Sequence, residues 1–459
     1  MARPRISPAF GAEMNAMLRL SAPLAAANLL QMAVYAVDVV FVARLGEATL
    51  AAASLAVSMF MLIMFGFSSV TSAVAPLIAA ELGRRAHAVR EVRRSFRMAL
   101  WLSVACTAVG MTVCQFGEAF MLLTGQDPAI SARAQDFLTI LSFSMLPMIV
   151  ANVLRTLVST MGRPVFATVV TALSIVVNAV GNYAFVFGNL GAPAWGLEGS
   201  AISTLITTVI TCIAYAVAIQ SDRTLRRYRL FGRLWRPEWQ RLREILRIGV
   251  PIALTVMAEG GLFSSAAFLM GRLGSAELAA HTVALQVAAF FFQIPFCIGQ
   301  AATIRVGYHF GAGNREGIAR AGMSAMVLTI GFQAVSAGIM LLAPGIVLSL
   351  YVDTDLAANA ALVSLAAGYL AVGAAFQFAD GLQAVAAGAL RGLQDTHVPM
   401  LVALGGYWLA GFTIAAGLGL ATPLEGIGVW IGLAAGLFIV AALLIRRWQA
   451  REALGLVPA

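Results

Sequence analysis

Lysine is absent from this sequence, and charge of either sign is scarce. All 30 basic residues among the 459 are arginines, and charged residues make up only 11% of the chain. The phosphate-binding loop of an ATP-driven pump requires a lysine, so any such motor would have to come from another chain. Soluble domains carry roughly a quarter charged residues. The shortage of charge therefore excludes an ordinary soluble protein and indicates one that lies in a membrane.

Residues that build metal and hydrolytic sites are also few. The sequence has four cysteines and four histidines, and neither set shows the spacing of metal ligands. A Ser/His/Asp arrangement and the H-E-x-x-H motif of zinc proteases are both missing. An integral-membrane enzyme would also need catalytic groups clustered near one membrane face, and the sequence offers none. We therefore expect a protein that is not an enzyme and that binds no cofactor.

Apolar residues are, by contrast, abundant, and they come in long runs. They make up 60% of the chain, and the mean hydropathy is +0.88. A helix needs about 20 such residues to cross a bilayer. Twelve runs are long enough, so we predict an all-α integral membrane protein with 12 transmembrane helices. Their approximate limits are 15–42, 50–80, 96–118, 136–160, 164–188, 199–220, 246–271, 279–308, 321–345, 362–390, 398–420 and 424–445.

The arginines lie on alternate connections between these spans. Only Arg44, Arg133 and Arg272 fall on one side of the membrane, and all the others fall on the side that holds both termini. Arginine is enriched in cytoplasmic loops, so we predict cytoplasmic termini in a bacterial-type inner membrane. The net charge of +9 comes from these loops, and we expect no nucleic acid as a partner.

One polar connection is much longer than the others, and it lies in the middle of the chain. Residues 221–247 contain nine arginines, with Tyr228, Phe231, Trp235 and Trp239 between them. One interpretation is a binding element. The other, which the composition favours, is an amphipathic linker that lies on the anionic headgroups of the lipid bilayer.

The two halves of the chain are similar when one is shifted by 228 residues. Pro251 then falls on Pro23, and residues 272–274 (RLG) fall on residues 44–46 (RLG). Each half holds six spans, so the halves are parallel repeats related by a pseudo-two-fold axis along the membrane normal. Such a pair encloses a cavity with alternating access, which is typical of transporters. The predicted domains are a six-helix lobe (1–220), a cytoplasmic linker (221–245) and a second six-helix lobe with a short tail (246–459).

Three acidic residues lie inside apolar spans, namely Asp38, Glu259 and Asp380. A carboxylate near the bilayer centre costs several kcal/mol, so it normally faces an interior cavity or carries an ion or a proton. Glu259 is equivalent to Gln31 in the repeat, so Glu259 and Asp38 lie on equivalent helices, seven positions apart. Their depths in the membrane therefore differ by about 10 Å. The alternative for each acid is a buried carboxyl group that is bonded to a neighbouring hydroxyl.

Two asparagines of the fifth span, Asn178 and Asn182, lie one helical turn apart and share a face. We expect both to meet Asp38 in a cavity, where they would orient a bound ion or share its proton. The alternative is that they only bridge helices, as amides in spans often do. Aromatic residues near the acids are candidates for stacking on an organic cation, with simple packing as the alternative; they are Tyr35, Phe263, Phe376 and Phe378.

Two segments resemble the multidrug and toxic compound extrusion (MATE) family. Residues 36–46 (AVDVVFVARLG) are similar to its first helix, and residues 378–400, which contain Asp380, are the most specific match. The resemblance covers essentially the whole chain and is strongest to the NorM-like branch. That branch pairs an aspartate of the first helix with two asparagines of the fifth, as Asp38, Asn178 and Asn182 do here, and it has acids that match Glu259 and Asp380.

The resemblance implies antiport, in which Na⁺ or H⁺ moves inward while an amphipathic, often cationic compound is exported. It implies cation coupling at Glu259 and Asp380, where Na⁺ is the candidate metal, with Asp38 as a third cation-coupling candidate. Asp38 and Gln31 also belong to an expected second polar or substrate site. The expected partners are small drug-like cations, and the expected state is a monomer. A flippase for lipids or lipid-linked precursors is the alternative, although it would need arginines in its cavity to hold a phosphate.

Overall fold

The computed structural model describes residues 8–85, 88–232, 234–354 and 356–458, and every regular element in them is a helix. The first half contains α1 Pro8–Ala43, α2 Glu47–Ser72, α3 Val74–Arg84, α4 Val89–Cys114, α5 Gly117–Leu123, α6 Pro128–Ser142, α7 Met145–Thr160, α8 Val165–Phe185, α9 Leu197–Ser221 and α10 Arg223–Arg226. The second half contains α11 Trp239–Leu273, α12 Ser275–Gly311, α13 Arg315–Leu342, α14 Pro344–Leu348, α15 Ala360–Gly392, α16 His397–Leu404, α17 Thr413–Ala421 and α18 Glu425–Gln449. A short 3₁₀ turn, Ala357–Asn359, precedes α15, and a π-helical segment, Gly405–Phe412, joins α16 to α17.

Eleven of these helical stretches are long and apolar enough to cross a membrane. The pair α6 and α7, bent by 48°, makes the twelfth when it is taken as one span. This confirms the predicted all-α fold with 12 spans. The bend falls just before α7, whose first turn holds Pro147, while α12 continues through Pro295 as one helix. A proline in the first turn is tolerated because its missing N–H has no helical partner there.

The chain divides into two compact units. The N-unit consists of Pro23–Leu82 and Ala86–Ala253, and the C-unit consists of Met1–Ala22, Gly83–Arg85 and Leu254–Ala459. The domain boundaries predicted at residues 220 and 246 do not coincide with this division. The start of α1 belongs to the C-unit, and the linker with the start of α11 belongs to the N-unit.

Polar contacts between residues distant in sequence agree with both differences, because each lies within one unit. In the C-unit, Arg305 of α12 donates two hydrogen bonds, of 2.7 and 2.6 Å, to the two carboxylate oxygens of Glu13 in the first turns of α1. In the N-unit, Arg241 of α11 is buried and donates to Ser95 Oγ at 2.9 Å and to Glu81 Oε1 at 3.3 Å. Such bidentate and buried pairs are the strong ones because the charges lie away from water.

The polar linker is docked on α4 within the N-unit. Glu238 pairs with Arg94 and Arg97, and the indole N–H of Trp101 donates to the carbonyl of Leu234 at 2.8 Å. Three linker side chains are buried in the hydrophobic core that includes residues of α4; they are Leu225, Tyr228 and Leu230. The described linker residues therefore pack one face on protein and leave the other exposed.

Helices in the C-unit approach each other closely where glycine lies between them. A Cβ atom on Gly432 of α18 would lie 2.2 Å from the backbone nitrogen and 2.3 Å from the Cα of Ala415 in α17. Only glycine fits at such a distance because real Cβ contacts are longer. Small residues allow this kind of backbone contact in membrane helices, where packing rather than the hydrophobic effect drives association.

Candidate functional site

Asp38 lies near the end of α1 and contacts both asparagines of α8. The side-chain amide of Asn178 donates to Asp38 Oδ1 at 3.0 Å, and that of Asn182 donates to the same oxygen at 2.7 Å. Both asparagines are fully buried, whereas Asp38 is half-buried. The contact expected from the sequence is present. Ser203 of α9 supports it from behind, since its hydroxyl donates to the carbonyl of Asn178 at 3.1 Å.

Two acceptor atoms of this cluster remain open. Within the described part of the chain, Asp38 Oδ2 accepts no hydrogen bond, and Asn182 Oδ1 is buried with no partner. Carboxylate and amide oxygens are the ligands that hard cations prefer. The cluster therefore has the chemistry to accept a cation or a proton, on an arrangement that two helices hold in place.

Gln31 and Tyr35 extend this polar face along α1. They lie seven and three residues before Asp38, so all three share one side of the helix. The Tyr35 hydroxyl lies within hydrogen-bonding reach of the Gln31 side chain.

Arg155 of α7, which we did not single out from the sequence as a site residue, donates to Asn28 Oδ1 at 2.9 Å. The signal that could have revealed it is an arginine inside an apolar run.

The second acid site lies in the C-unit, between α11 and α15. The carboxyl groups of Glu259 and Asp380 are within hydrogen-bonding reach of each other. Two carboxylates have no donor between them, so this contact requires a proton or a bound cation to offset the repulsion. Asp380 is buried, and its Oδ1 has no hydrogen-bond partner among the described residues. The structure thus brings together the two acids that the sequence assigned to coupling.

Two neutral residues complete the surroundings of Glu259. Gln383 donates from Nε2 to Glu259 Oε1 at 3.1 Å, and Tyr407 donates its hydroxyl to Gln383 Oε1. Arg391 lies three turns beyond Asp380 on α15, and its positive charge acts on Glu259. We did not assign a role to Gln383 or Tyr407 from the sequence. Gln383 lies three residues after Asp380, so its spacing predicts a position on the same face of the helix. Tyr407 lies in the π-helical segment, and nothing in its spacing predicted the contact.

The aromatic residues predicted near the second site form a packed cluster. The rings of Phe263 and Phe376 are 6.0 Å apart, and Phe376 also contacts Trp430 at 5.6 Å, both pairs edge to face. Phe376 is almost completely buried, while Phe263 is half-buried. This geometry is typical of aromatic packing in a core. Phe263 is therefore the better placed of the two to meet a substrate.

Groups of three or more histidine, cysteine or acidic residues that would hold a metal ion are not found in the described ranges. Each of the two sites instead combines one or two carboxyl groups with neutral oxygen and amide groups. The single carboxyl group of the N-unit site matches the charge of one monovalent cation or one proton.

Comparison with known proteins agrees with this architecture. The model of the MatE family matches residues 23–184 and again residues 251–416, so the two matches begin at the paired residues Pro23 and Pro251 of the repeat. The chain is 42% identical over 441 residues to the probable multidrug resistance protein NorM of Mesorhizobium japonicum, which covers 96% of this chain and 94% of that protein. It is 41% identical to the probable multidrug resistance protein NorM of Brucella suis, over 97% of this chain and 95% of that protein.

Solved structures show the same fold. The crystal structure of a eukaryotic MATE transporter superposes with a TM-score of 0.85 at 21% identity, over 97% of this chain and 98% of that one. An outward-facing multidrug resistance MATE family transporter superposes with a TM-score of 0.85, also at 21% identity, over 97% and 96%. With a family match over both halves and relatives above 40% identity, the chain belongs to the MatE family and is a transporter rather than an enzyme.

Proposed function

We propose that this protein is a multidrug efflux transporter that exports amphipathic, often cationic compounds in exchange for Na⁺ or H⁺. The relatives named as multidrug resistance proteins support the substrate class. The observation that carries the coupling is the contact between Glu259 and Asp380, which leaves Asp380 Oδ1 buried and without a partner among the described residues. A buried acid pair is costly unless a cation or proton offsets its charge.

The acid pair gives a direct route from ion binding to export. A cation or proton that binds between Glu259 and Asp380 lowers their combined negative charge, weakens their hold on a cationic compound and favours the state that releases it. Gln383 and Tyr407 keep the Glu259 carboxyl in position through their chain of hydrogen bonds. The membrane potential adds about 2.3 kcal/mol per charge per 100 mV to the inward movement of the cation.

The cluster of Asp38 with Asn178 and Asn182 is the second polar site. It holds a single acid, so it can bind one cation or one proton without a second carboxyl. Gln31 and Tyr35 on the same face of α1 would then contact the exported compound. The two sites lie in different units and differ in acid content, which supports separate tasks for them.

The structure supplies a test of this division. Asn182→Leu keeps the branched shape of the side chain but removes a hydrogen bond to Asp38, so we expect slower dye efflux, by several-fold, with an unchanged choice of coupling ion. Asn189→Leu is the control, because it makes the same chemical change outside both acid sites, where Asn189 donates to the backbone carbonyl of Tyr183 at 3.2 Å. Rates and ion dependence are measured in proteoliposomes. A changed coupling ion in Asn182→Leu would instead assign the coupling to Asp38.

The orientation in the membrane follows from the arginines. We infer a multi-pass protein of the bacterial inner membrane with cytoplasmic termini, acting as a monomer on small drug-like cations. Residues 1–7, including two of the arginines, lie outside the described part of the chain. The flippase alternative gains no support, since the curated relatives reported above are named as multidrug resistance proteins.

The function is tested with purified protein in liposomes. A fluorescent cationic dye is loaded, and its movement is followed first under an imposed Na⁺ gradient and then under an imposed H⁺ gradient. We expect uphill dye transport with at least one gradient, which also identifies the coupling ion. An absence of transport under both gradients, with protein that is correctly inserted, would contradict the proposal and favour a lipid substrate.

A further inference from the structure

An apolar groove lies on the outside of the N-unit, where α9 meets the linker. Its volume is about 330 Å³, and it is lined by Ile213, Ala216, Val217, Gln220, Ser221 and Phe231. Ile213 and Val217 are more than half exposed, so the groove opens sideways along a membrane-spanning helix. The polar lining residues, Gln220 and Ser221, lie at the end of α9. The groove is thus lined by apolar side chains along most of α9 and by polar side chains at one end.

Arginines concentrate at that polar end. The four that follow α9 directly are all exposed, and the described residues include no acidic partner for them; they are Arg223, Arg226, Arg227 and Arg229. The nearby acid, Asp222, is already engaged, because it caps α10 and pairs with Arg163 at 3.1 Å. This end of the groove therefore carries an uncompensated positive charge.

The arginines lie next to side chains that are buried in the N-unit. Leu225, Tyr228 and Leu230 alternate with them and are buried in the core of the N-unit. Further along the linker, Trp235 and Trp239 are 73% and 66% exposed. Tryptophan is enriched at the level of lipid headgroups, where its ring is partly buried and its N–H meets water. The linker surface thus combines fixed positive charge with aromatic anchors.

We propose that this groove binds one anionic phospholipid, with an acyl chain along Ala216 and Val217 and the phosphate on the arginines that follow α9. Clusters of four or more arginines directly beyond a membrane helix attract anionic headgroups. A cationic drug would be repelled by the same arginines. A soluble anion could occupy the arginines but would leave the apolar residues of the groove, such as Ile213 and Val217, without a ligand. The inference rests on the proposed membrane placement but not on drug transport, and it assigns a lipid site outside both acid sites.

The test measures lipid binding directly. Purified protein in detergent is incubated with phosphatidylglycerol or with phosphatidylcholine of the same acyl chains, and retained lipid is counted by native mass spectrometry. We expect phosphatidylglycerol to bind at least about tenfold more tightly. Ala216→Trp fills the groove and is expected to abolish this preference. Replacing the arginines is expected to do the same in a variant with four changes: Arg223→Gln, Arg226→Gln, Arg227→Gln and Arg229→Gln.

A matched control removes the same amount of charge elsewhere on the same predicted side of the membrane. It combines four changes: Arg85→Gln, Arg90→Gln, Arg320→Gln and Arg446→Gln. We expect it to retain phosphatidylglycerol like the unchanged protein. Equal retention in the groove variants and the unchanged protein, or equal binding of both lipids, would overturn the proposal. Size-exclusion profiles show whether each variant is folded, and because the readout is lipid binding, a failure of drug transport leaves the result interpretable.

Discussion

Asp380→Asn is expected to reduce uphill dye export to the level of liposomes without protein, under either ion gradient. Asparagine has nearly the same size as aspartate, so the surrounding packing should persist and the protein should still accumulate in the membrane. It carries no negative charge, however, so the pair with Glu259 no longer needs a cation or proton. Without that requirement, ion binding and drug release lose their link. Dye efflux in proteoliposomes with imposed gradients measures the effect.

The control for this change is Asp136→Asn. Asp136 is exposed on α6 and undergoes the same chemical change outside both acid sites, so its export should equal that of the unchanged protein. Full export by Asp380→Asn would refute the coupling role of the Glu259–Asp380 pair. Loss of export only in Asp38→Asn would place the coupling in the N-unit instead.

Gly432→Leu is expected to prevent stable folding of the C-unit. The Cβ atom would lie 2.2 Å from the backbone of Ala415, and backbone cannot move aside as a flexible side chain can. Overpacking of this kind typically costs about 1–3 kcal/mol, and the clash with the backbone of Ala415 places this case at the upper end. We expect little monodisperse protein by size-exclusion chromatography and a clearly lower melting temperature for what remains.

Gly417→Leu provides the matched comparison. Gly417 lies on α17, in the same pair of helices, but a Cβ atom there meets nothing within 4 Å and the position is exposed. The same substitution should therefore leave expression and melting temperature nearly unchanged. If Gly432→Leu behaved like Gly417→Leu, the close approach of α17 and α18 would not be required for stability.

The sequence predicted the spans and the contacts of the N-unit site well, because both depend on patterns within single helices. The twelve apolar runs are each about 20 residues or longer, so small errors at their ends do not change the number of spans. Asn178 and Asn182 are spaced by one turn, and Asp38 is an acid in an apolar run, so simple helical geometry was enough to propose their contact. Their functional roles stay predictions.

Features that depend on contacts between distant residues were not predictable in this way. Each unit contains pairs such as Glu13 with Arg305 or Arg241 with Ser95, whose members are separated by many residues in the sequence. The sequence does not distinguish an arginine that faces water at the end of a predicted helix from one that pairs with a buried acid. The bend between α6 and α7 had only a local signal, because Pro147 interrupts the single apolar run that holds both helices and is a candidate bending point.

The π-helical segment Gly405–Phe412 has a consequence for how this span is compared with others. An α-helix turns by about 100° per residue, and each π turn holds roughly one residue more than an α turn. Residues after Phe412 therefore point in directions that a continuous α-helix would assign to their neighbours. Deleting one residue between Tyr407 and Phe412 should restore the regular phase and rotate the residues after Phe412 by about 100° relative to Tyr407. Alignments of this span should accordingly place a one-residue gap here when a relative has an unbroken α-helix.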